Sequence, residues 1–178
     1  MINVSNIKTT PPENFSVPVQ KNIYEVLQKL AVPFWRVDCD PAVTMDDCKA
    51  IDGALKVKTV KNLLLCNRQQ TAFYLFITPG DKPFVTKDFS SAMGISRVSF
   101  APQDMLDEKL GVYSGATTAL AMTNVAAKDV RLVFDKAVLA DEYIAFPDGT
   151  TTCYIKLKTD DLLHSFLPAI GTDYTIIF

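Results

Sequence analysis

The sequence predicts an α+β (mixed α/β) fold, with one domain in which helices pack around a central sheet. Short apolar runs rich in β-branched and aromatic residues are interspersed with segments of helical periodicity, without strict β-α-β alternation. Hydrophobic residues make up 48% of the 178-residue chain, which is enough for one sizeable core. Charged residues make up 21%, and this composition argues against disorder.

The helices are predicted from apolar periodicity and from signals at their ends. Residues 21–31 place Ile23, Leu27 and Leu30 on one face, and Pro33 stops this first helix. Thr44, followed three residues later by Asp47, resembles a capping box that starts a second helix. Three more helices are predicted from a terminal glycine or an initial threonine, at residues 86–94, 101–111 and 159–167.

Strands are predicted where short apolar runs lie between polar turns. The clearest pair is residues 63–66 and 72–77, which the polar NRQQ segment separates. The other predicted strands are residues 34–39, 97–100, 130–139, 151–157 and, at a sheet edge, 174–178. Residues 1–20 contain three prolines and predict an extended, loosely held arm in front of a domain of residues 21–178.

Composition and missing motifs argue against several classes of function. A net charge of −2 gives no overall positive field, so any RNA contact requires a local basic patch. The four cysteines form no C-x-x-C pair, which favours a reducing cytoplasm over disulfides or structural zinc. The chain has no signal-peptide pattern, no apolar run of about 20 residues and no phosphate, dinucleotide or metalloprotease motif. We therefore expect no membrane contact, metal or cofactor.

Polar side chains of two kinds remain as candidates for chemistry. The lone histidine, His164, lies within a predicted helix, where a surface or satisfied core position is the ordinary interpretation. Lys61 and Asn62 stand directly before the apolar run of residues 63–66. Lys61 either marks a solvent-exposed strand end or places a positive charge on a phosphate or a developing oxyanion.

A glycine-flanked loop is the second candidate. Gly111 and Gly115 are followed by small and hydroxylated residues through residue 120. Such a loop is either a helix end followed by a turn, or a backbone that approaches a ligand closely and offers it N–H groups.

The order of these segments adds information that no single segment carries. In sequence they read YEVLQKLAVPF, DPAVT, KNLLLCN, FYLF, RVSF, LGVYSGATTALAMTN, VRLVFD and IAFPDGTTTCYIKL. Over residues 20–172 this series resembles the YbaK / prolyl-tRNA synthetase-associated domain family, and within it the ProX-like branch. The most specific pieces are residues 61–63 and 111–124.

The resemblance implies a mixed, partly curled sheet and hydrolysis of the ester of a mischarged tRNA, commonly alanyl-tRNA(Pro) or a cysteinyl equivalent. The implied partner is the aminoacylated 3′ end of tRNA; we expect modest tRNA affinity that an aminoacyl-tRNA synthetase could assist, and no role for DNA. Lys61 would be the functional lysine and Asn62 its neighbour. The family's loop that gates amino-acid size and hosts the ester would correspond to Gly115, Ala116, Thr117, Thr118 and Ala119, with Gly111 at its start. Apart from the resemblance, Lys56, Lys58 and Arg68 are expected near the site, where they either contact tRNA phosphates or form an ordinary solvated surface.

Three positions depart from the family pattern. Asp40 replaces a histidine before the PAVT segment that contains Thr44, Phe146 replaces a second histidine before a proline, and Ala119 replaces a loop proline. If Asp40, Thr44 and Phe146 line the pocket, as in the family, it has lost two hydrogen-bonding groups. Two interpretations follow: a deacylase acting on a small amino acid, or an impaired paralogue that binds aminoacyl-tRNA, an amino acid or a synthetase.

Overall fold

Two open sheets and six helices form the fold, as described by a computed structural model that covers residues 1–178. The strands are β1 (Trp35–Asp38), β2 (Val60–Cys66), β3 (Phe73–Pro79), β4 (Ser99–Phe100), β5 (Val130–Asp135), β6 (Tyr143–Pro147), β7 (Cys153–Lys158) and β8 (Tyr174–Ile177). The first three helices are α1 (Pro18–Lys29), α2 (Cys48–Leu55) and α3 (Thr86–Met93). The mixed α/β class predicted from the sequence is confirmed.

The remaining helices contain irregular turns. Helix α4 begins as Gln103–Met105 and continues as a π-helical turn, Leu106–Leu110. Helix α5 is the single turn Lys136–Leu139. Helix α6 comprises Thr159–Asp161, a π-helical turn Leu162–Phe166 and Leu167–Ala169. No helix is long and apolar enough to cross a lipid bilayer.

The strands divide between two sheets, where the sequence suggested one. The larger sheet has the order β4-β2-β3-β5-β8. Strand β2 runs antiparallel to β3, whereas β3, β5 and β8 run parallel to one another. The smaller sheet has the antiparallel order β1-β7-β6. A single parallel bridge between Thr59 and Ala145 joins them. This bridge brings the start of β2 close to β6 and creates the corner where the site lies.

Several element ends agree with the sequence, and some do not. Gly94 and Gly111 end α3 and α4 in the left-handed region, each with φ of 65°, as glycine allows. Strand β8 lies at a sheet edge, as predicted. The predicted strand of residues 130–139 was too long, because the Asp135 carboxylate accepts a hydrogen bond from Ala137 N and starts α5. Strand β6 was missed.

The N-terminal arm is extended but fixed, so the expectation of a loosely held segment was wrong. Val4 and Lys8 bridge to Cys39 and Arg36 of the β1 region. The backbone amide of Arg36 donates to Lys8 O over 2.8 Å. Because the buried Arg36 guanidinium also donates to Thr10 O over 2.6 Å, both backbone and side chain hold the arm.

Alternation along β2 decides which way the candidate residues point. Leu64 and Cys66 belong to the main core of 30 buried residues, whereas Leu63 and Leu65 pack with the cluster beneath α3. Successive side chains of a strand point to opposite faces. Lys61 therefore belongs to the α3 face, and Asn62 to the face of the main core.

Candidate active site

A cleft of about 310 Å³ lies along the free edge of β2. Strand β4 pairs only with Leu65 and Cys66, so residues 60–63 have no strand on that side. Residues 43–48 form the opposite wall, and residues from the glycine loop and the smaller sheet close the ends. The lining residues are Val43, Thr44, Met45, Cys48, Val60, Lys61, Asn62, Leu63, Gly115, Thr117, Pro147 and Tyr154.

Lys61 lies within β2, in register with Thr78 of β3. Its half-buried ammonium donates to the backbone carbonyl of Lys82 over 2.7 Å. An ammonium carries three donors, so two remain for a ligand. Lys82 is itself held, because its ammonium lies 2.5 Å from the buried carboxylate of Asp135. Lys61 is thus fixed at the cleft while keeping donors free.

Asn62 connects β2 to the glycine loop. Its Oδ1 accepts a hydrogen bond from Ala119 N over 3.0 Å, and its Nδ2 donates to Val60 O over 3.2 Å. Ala119 is completely buried, so its N–H would lack a partner without Asn62. The amide therefore positions the loop and has its acceptor engaged.

The glycine loop fits closely against its neighbours. Gly115 has φ of +88°, and a Cβ there would lie 2.5 Å from Val43 Cγ1. Tyr113 fixes the loop from the other side, since its hydroxyl accepts from Thr151 N over 3.0 Å. Only glycine satisfies both the backbone and the space at position 115.

The two threonines that follow differ in their partners. Thr118 is fully buried, and its hydroxyl accepts from Leu120 N over 3.2 Å, capping the 3₁₀ turn Ala119–Thr123. Thr117 lines the cleft, and its hydroxyl has no hydrogen-bond partner in the protein. Thr117 is therefore a polar group available to a ligand.

The opposite wall is fixed by a reciprocal cap. Thr44 donates its hydroxyl to Asp47 Oδ2 over 2.8 Å and accepts from Asp47 N over 3.2 Å, so the predicted pair forms, but it closes the turn before α2, which begins at Cys48. The hydrogen bonds from Thr44 hold the pKa of the Asp47 carboxyl below its usual value. The hydroxyl of Thr44 is thus engaged, and the residue shapes the cleft without offering a free group.

No side chain in the cleft is an activated nucleophile. Burial raises the pKa of Cys48, whose thiol lies 3.7 Å from the Tyr154 hydroxyl. Burial also raises the pKa of Tyr154, which donates to Ala42 O over 3.3 Å. His164 is exposed on α6 and does not line the cleft. No group of three or more His, Cys, Asp or Glu side chains could hold a metal ion.

Several predicted site residues lie outside the cleft. Asp40 is exposed and accepts two hydrogen bonds from Asn3 of the arm, at 2.9 and 2.8 Å. Phe146 is fully buried in the main core, and its neighbour Pro147 reaches the cleft instead. Gly111 ends α4, and Ala116 and Ala119 are completely buried behind the loop.

The three predicted RNA contacts do not gather at one place. Lys56 is exposed at the C-terminal end of α2, and Lys58 pairs with Asp81 over 2.9 Å. Arg68 follows the far end of β2, roughly 20 Å from Lys61 at about 3.3 Å per residue. Arg68 is therefore separated from the cleft.

A cleft that offers a cation and a hydroxyl without an activated nucleophile suits a substrate that is already reactive, such as an ester. The family model of the aminoacyl-tRNA editing domain matches residues 39–164, and the chain belongs to this family. It is therefore a hydrolase of the deacylase class that acts on aminoacyl-tRNA.

Individual relatives agree with this family. The chain is 26% identical over 151 residues to the prolyl-tRNA editing protein ProX of Acetoanaerobium sticklandii, covering 85% of this chain and 92% of that protein. It is 24% identical over 120 residues to prolyl-tRNA synthetase associated domain-containing protein 1 of Danio rerio, covering 67% and 65%.

Solved structures share the fold. A candidate trans-editing enzyme for prolyl-tRNA synthetase superposes with a TM-score of 0.66 at 16% identity, covering 92% of this chain and 98% of that one. The hypothetical protein APE2540 gives a TM-score of 0.67 at 18% identity, covering 88% and 98%.

Proposed function

We propose that this chain hydrolyses the ester of tRNA(Pro) charged with a small, uncharged, non-cognate amino acid, and that the cleft along β2 is its active site. The observation that carries the proposal is the pairing of two groups with unused hydrogen-bonding capacity, the Lys61 ammonium and the Thr117 hydroxyl, in one small cleft. The prolyl system is inferred from relatives named for prolyl-tRNA editing.

The size and lining of the cleft support a small acyl group. A volume of about 310 Å³ is at the lower end of the range for ligand pockets. Val43, Met45, Val60, Leu63 and Pro147 give it apolar walls. A cationic acyl side chain would lose hydration there and meet the like charge of Lys61.

The reaction needs few protein groups, because an aminoacyl ester is activated. Water attacks the acyl carbonyl, its oxygen becomes an oxyanion, and the ribose oxygen leaves. A donor placed near that oxygen stabilises the transition state, and a fixed loop holds the ester in position. In this proposal Asn62 is a positioning residue that fixes the Gly115 loop against β2.

Lys61 can supply either of two interactions, and one comparison separates them. It can donate to the developing oxyanion, or it can hold the phosphate of the terminal nucleotide. Lys61→Ala should slow hydrolysis of both aminoacyl-tRNA and an aminoacyl ester of adenosine if Lys61 contacts the carbonyl. Only the tRNA reaction should slow if it contacts the phosphate, because the adenosine ester has none.

The decisive experiment is a deacylation assay with alanyl-, cysteinyl-, seryl-, threonyl- and prolyl-tRNA(Pro). We expect hydrolysis of at least one small non-cognate ester above the rate without enzyme, and protection of the prolyl ester. Hydrolysis of every ester at one rate would contradict the proposed size selection.

We further propose that prolyl-tRNA synthetase presents the tRNA to this protein. Adding the synthetase to the assay should then lower the KM for the aminoacyl-tRNA.

A binding role without hydrolysis is the second candidate, and one observation favours it. Neither Asp40 nor Phe146, which the sequence resemblance sets at two histidine positions of the family, supplies a polar group to the cleft. Binding of aminoacyl-tRNA by folded protein, with all esters intact after long incubation, would support this second function and contradict the first.

A further inference from the structure

An aromatic and basic surface extends from the cleft across the α3 side of β2. Phe100 is the most exposed aromatic residue of the chain, at 59%. Its ring lies 5.6 Å from that of the half-buried Phe84, and Val85 beside them is 49% exposed. Apolar side chains exposed together in this way mark a binding surface more often than isolated ones do.

Strand register connects this surface to the cleft. Phe100 is paired with Leu65, so both side chains point to the α3 face, as Lys61 does. Leu65 lies four positions after Lys61, which corresponds to about 13 Å along the strand. A ligand that contacts Lys61 therefore meets Phe100 within one or two nucleotide lengths.

The charge of this region is opposite to that of the rest of the molecule. Residues 56–100 contain seven Lys or Arg and two Asp, whereas the other residues contain eleven Lys or Arg and eighteen Asp or Glu. Two of the seven cations are paired with carboxylates, Lys58 with Asp81 and Lys82 with Asp135. A cavity of about 400 Å³ lies between the exposed cations Lys87 and Arg97. Such a concentration of positive charge attracts a polyanion.

We propose that the Phe84–Phe100 surface is a stacking site for the unpaired nucleotides that precede the esterified 3′ end of tRNA. Bases of single-stranded RNA stack on exposed aromatic rings, and flanking cations contact their phosphates. The inference rests on the proposed function for the identity of the RNA. It adds a second contact region that orients the ester toward the cleft.

Binding of uncharged RNA tests this site independently of hydrolysis. Fluorescence anisotropy would compare a tRNA(Pro) transcript with the same transcript lacking its unpaired 3′ nucleotides, at one fixed salt concentration. Truncation should weaken binding to the natural protein about tenfold, the scale of one stacked base. Phe100→Ala should bind the intact transcript about tenfold more weakly and lose little more on truncation, while Phe100→Trp should retain the affinity.

Phe15→Ala is the matched control, because Phe15 is an exposed aromatic residue of the N-terminal arm, at 38%. It should bind both transcripts as the natural protein does. Equal losses for Phe100→Ala on both transcripts, or no loss on either, would overturn the proposal. If Phe100→Ala kept full RNA affinity and lost only binding to prolyl-tRNA synthetase, the surface would be a protein contact instead. Because the transcripts are uncharged, this binding comparison stays informative even if the deacylation assay shows no hydrolysis.

Discussion

Two polar clusters of this protein contrast in how fully their groups are engaged. At the turn between β6 and β7, the completely buried Asp148 accepts from Gln20 Nε2 over 2.9 Å, Tyr24 Oη over 2.7 Å and Thr150 Oγ1 over 2.8 Å. In the cleft, Lys61 makes one of three possible hydrogen bonds and Thr117 makes none to the protein.

We infer from this difference that the Asp148 cluster stabilises the fold, whereas the cleft groups are available for function. A buried carboxylate with all its donors in place connects α1 to the smaller sheet and has nothing left for a ligand. Burial and the nearby Asp148 charge also raise the pKa of Tyr24, which keeps that hydroxyl a donor. The cleft groups keep free donors at a surface that solvent reaches, so a substrate can engage them.

Removing the cation of the cleft should have the largest effect. If Lys61 donates to the oxyanion, Lys61→Ala should lower the rate of aminoacyl-tRNA hydrolysis by roughly 10²- to 10³-fold, the loss typical of one oxyanion donor, with an unchanged thermal midpoint. Lys21→Ala is the control, since Lys21 is an exposed lysine paired only with Glu25. A fully active Lys61→Ala protein would remove Lys61 from the mechanism.

Breaking the hydrogen-bonded cluster around Asp148 should lower stability and leave the hydrolytic rate unchanged. Asp148→Ala should lower the free energy of unfolding by about 3 kcal/mol, because it leaves buried donors without an acceptor. Urea denaturation measures this change, and the folded fraction should retain its hydrolytic rate. Glu25→Ala, at an exposed pair with Lys21, should change stability by less than about 1 kcal/mol. If Asp148→Ala lost activity without losing stability, the Asp148 cluster would have a functional role and not the stabilising one inferred here.

Removing the hydrogen bond that joins Asn62 of β2 to the glycine loop should reduce the hydrolytic rate by an intermediate amount. Asn62→Ala should lower kcat about tenfold, because Ala119 N loses its partner and the loop loses its position. Asn62→Asp keeps an acceptor for Ala119 N and should recover most of the rate. If both variants were equally slow, a direct contact between the Asn62 amide and the substrate would be the better explanation.

Two adjacent threonines give the finest test. Thr117→Val removes the free hydroxyl and should slow hydrolysis a few-fold at unchanged stability. Thr118→Val removes a cap and should cost about 1 kcal/mol of stability with little change in rate. Steady-state kinetics and thermal melts of the pair would measure both quantities, and the reverse pattern would show that the wrong threonine was assigned to the cleft.

Local patterns predicted the elements whose causes are local. The helix ends at Gly94 and Gly111 and the Thr44–Asp47 cap follow from residues within a few positions of one another. Strand β6 was missed because the apolar residues between β5 and β7 carry no turn signal that marks its start. A short helical turn, α5, replaces the expected continuation of β5.

The site was predictable only in part, for a related reason. The family resemblance proposed Lys61, Gly115 and Thr117 as site residues, and these three line the cleft, although their roles stay predictions. The role of Asn62 depends on Ala119, which lies 57 residues away in sequence. The engagement of Asp40 depends on Asn3 in an arm that looked unattached. Partners so distant in sequence leave no local pattern to detect.

The fixed N-terminal arm has a consequence for how the protein behaves in concentrated solution. Strand β1 is the outer strand of the smaller sheet, and an uncovered outer strand offers its free amides and carbonyls to other molecules. The arm occupies those groups at Lys8 and Val4. The arm therefore prevents other molecules from pairing with the edge of β1. A protein that lacks its first ten residues should self-associate at concentrations where the intact chain does not.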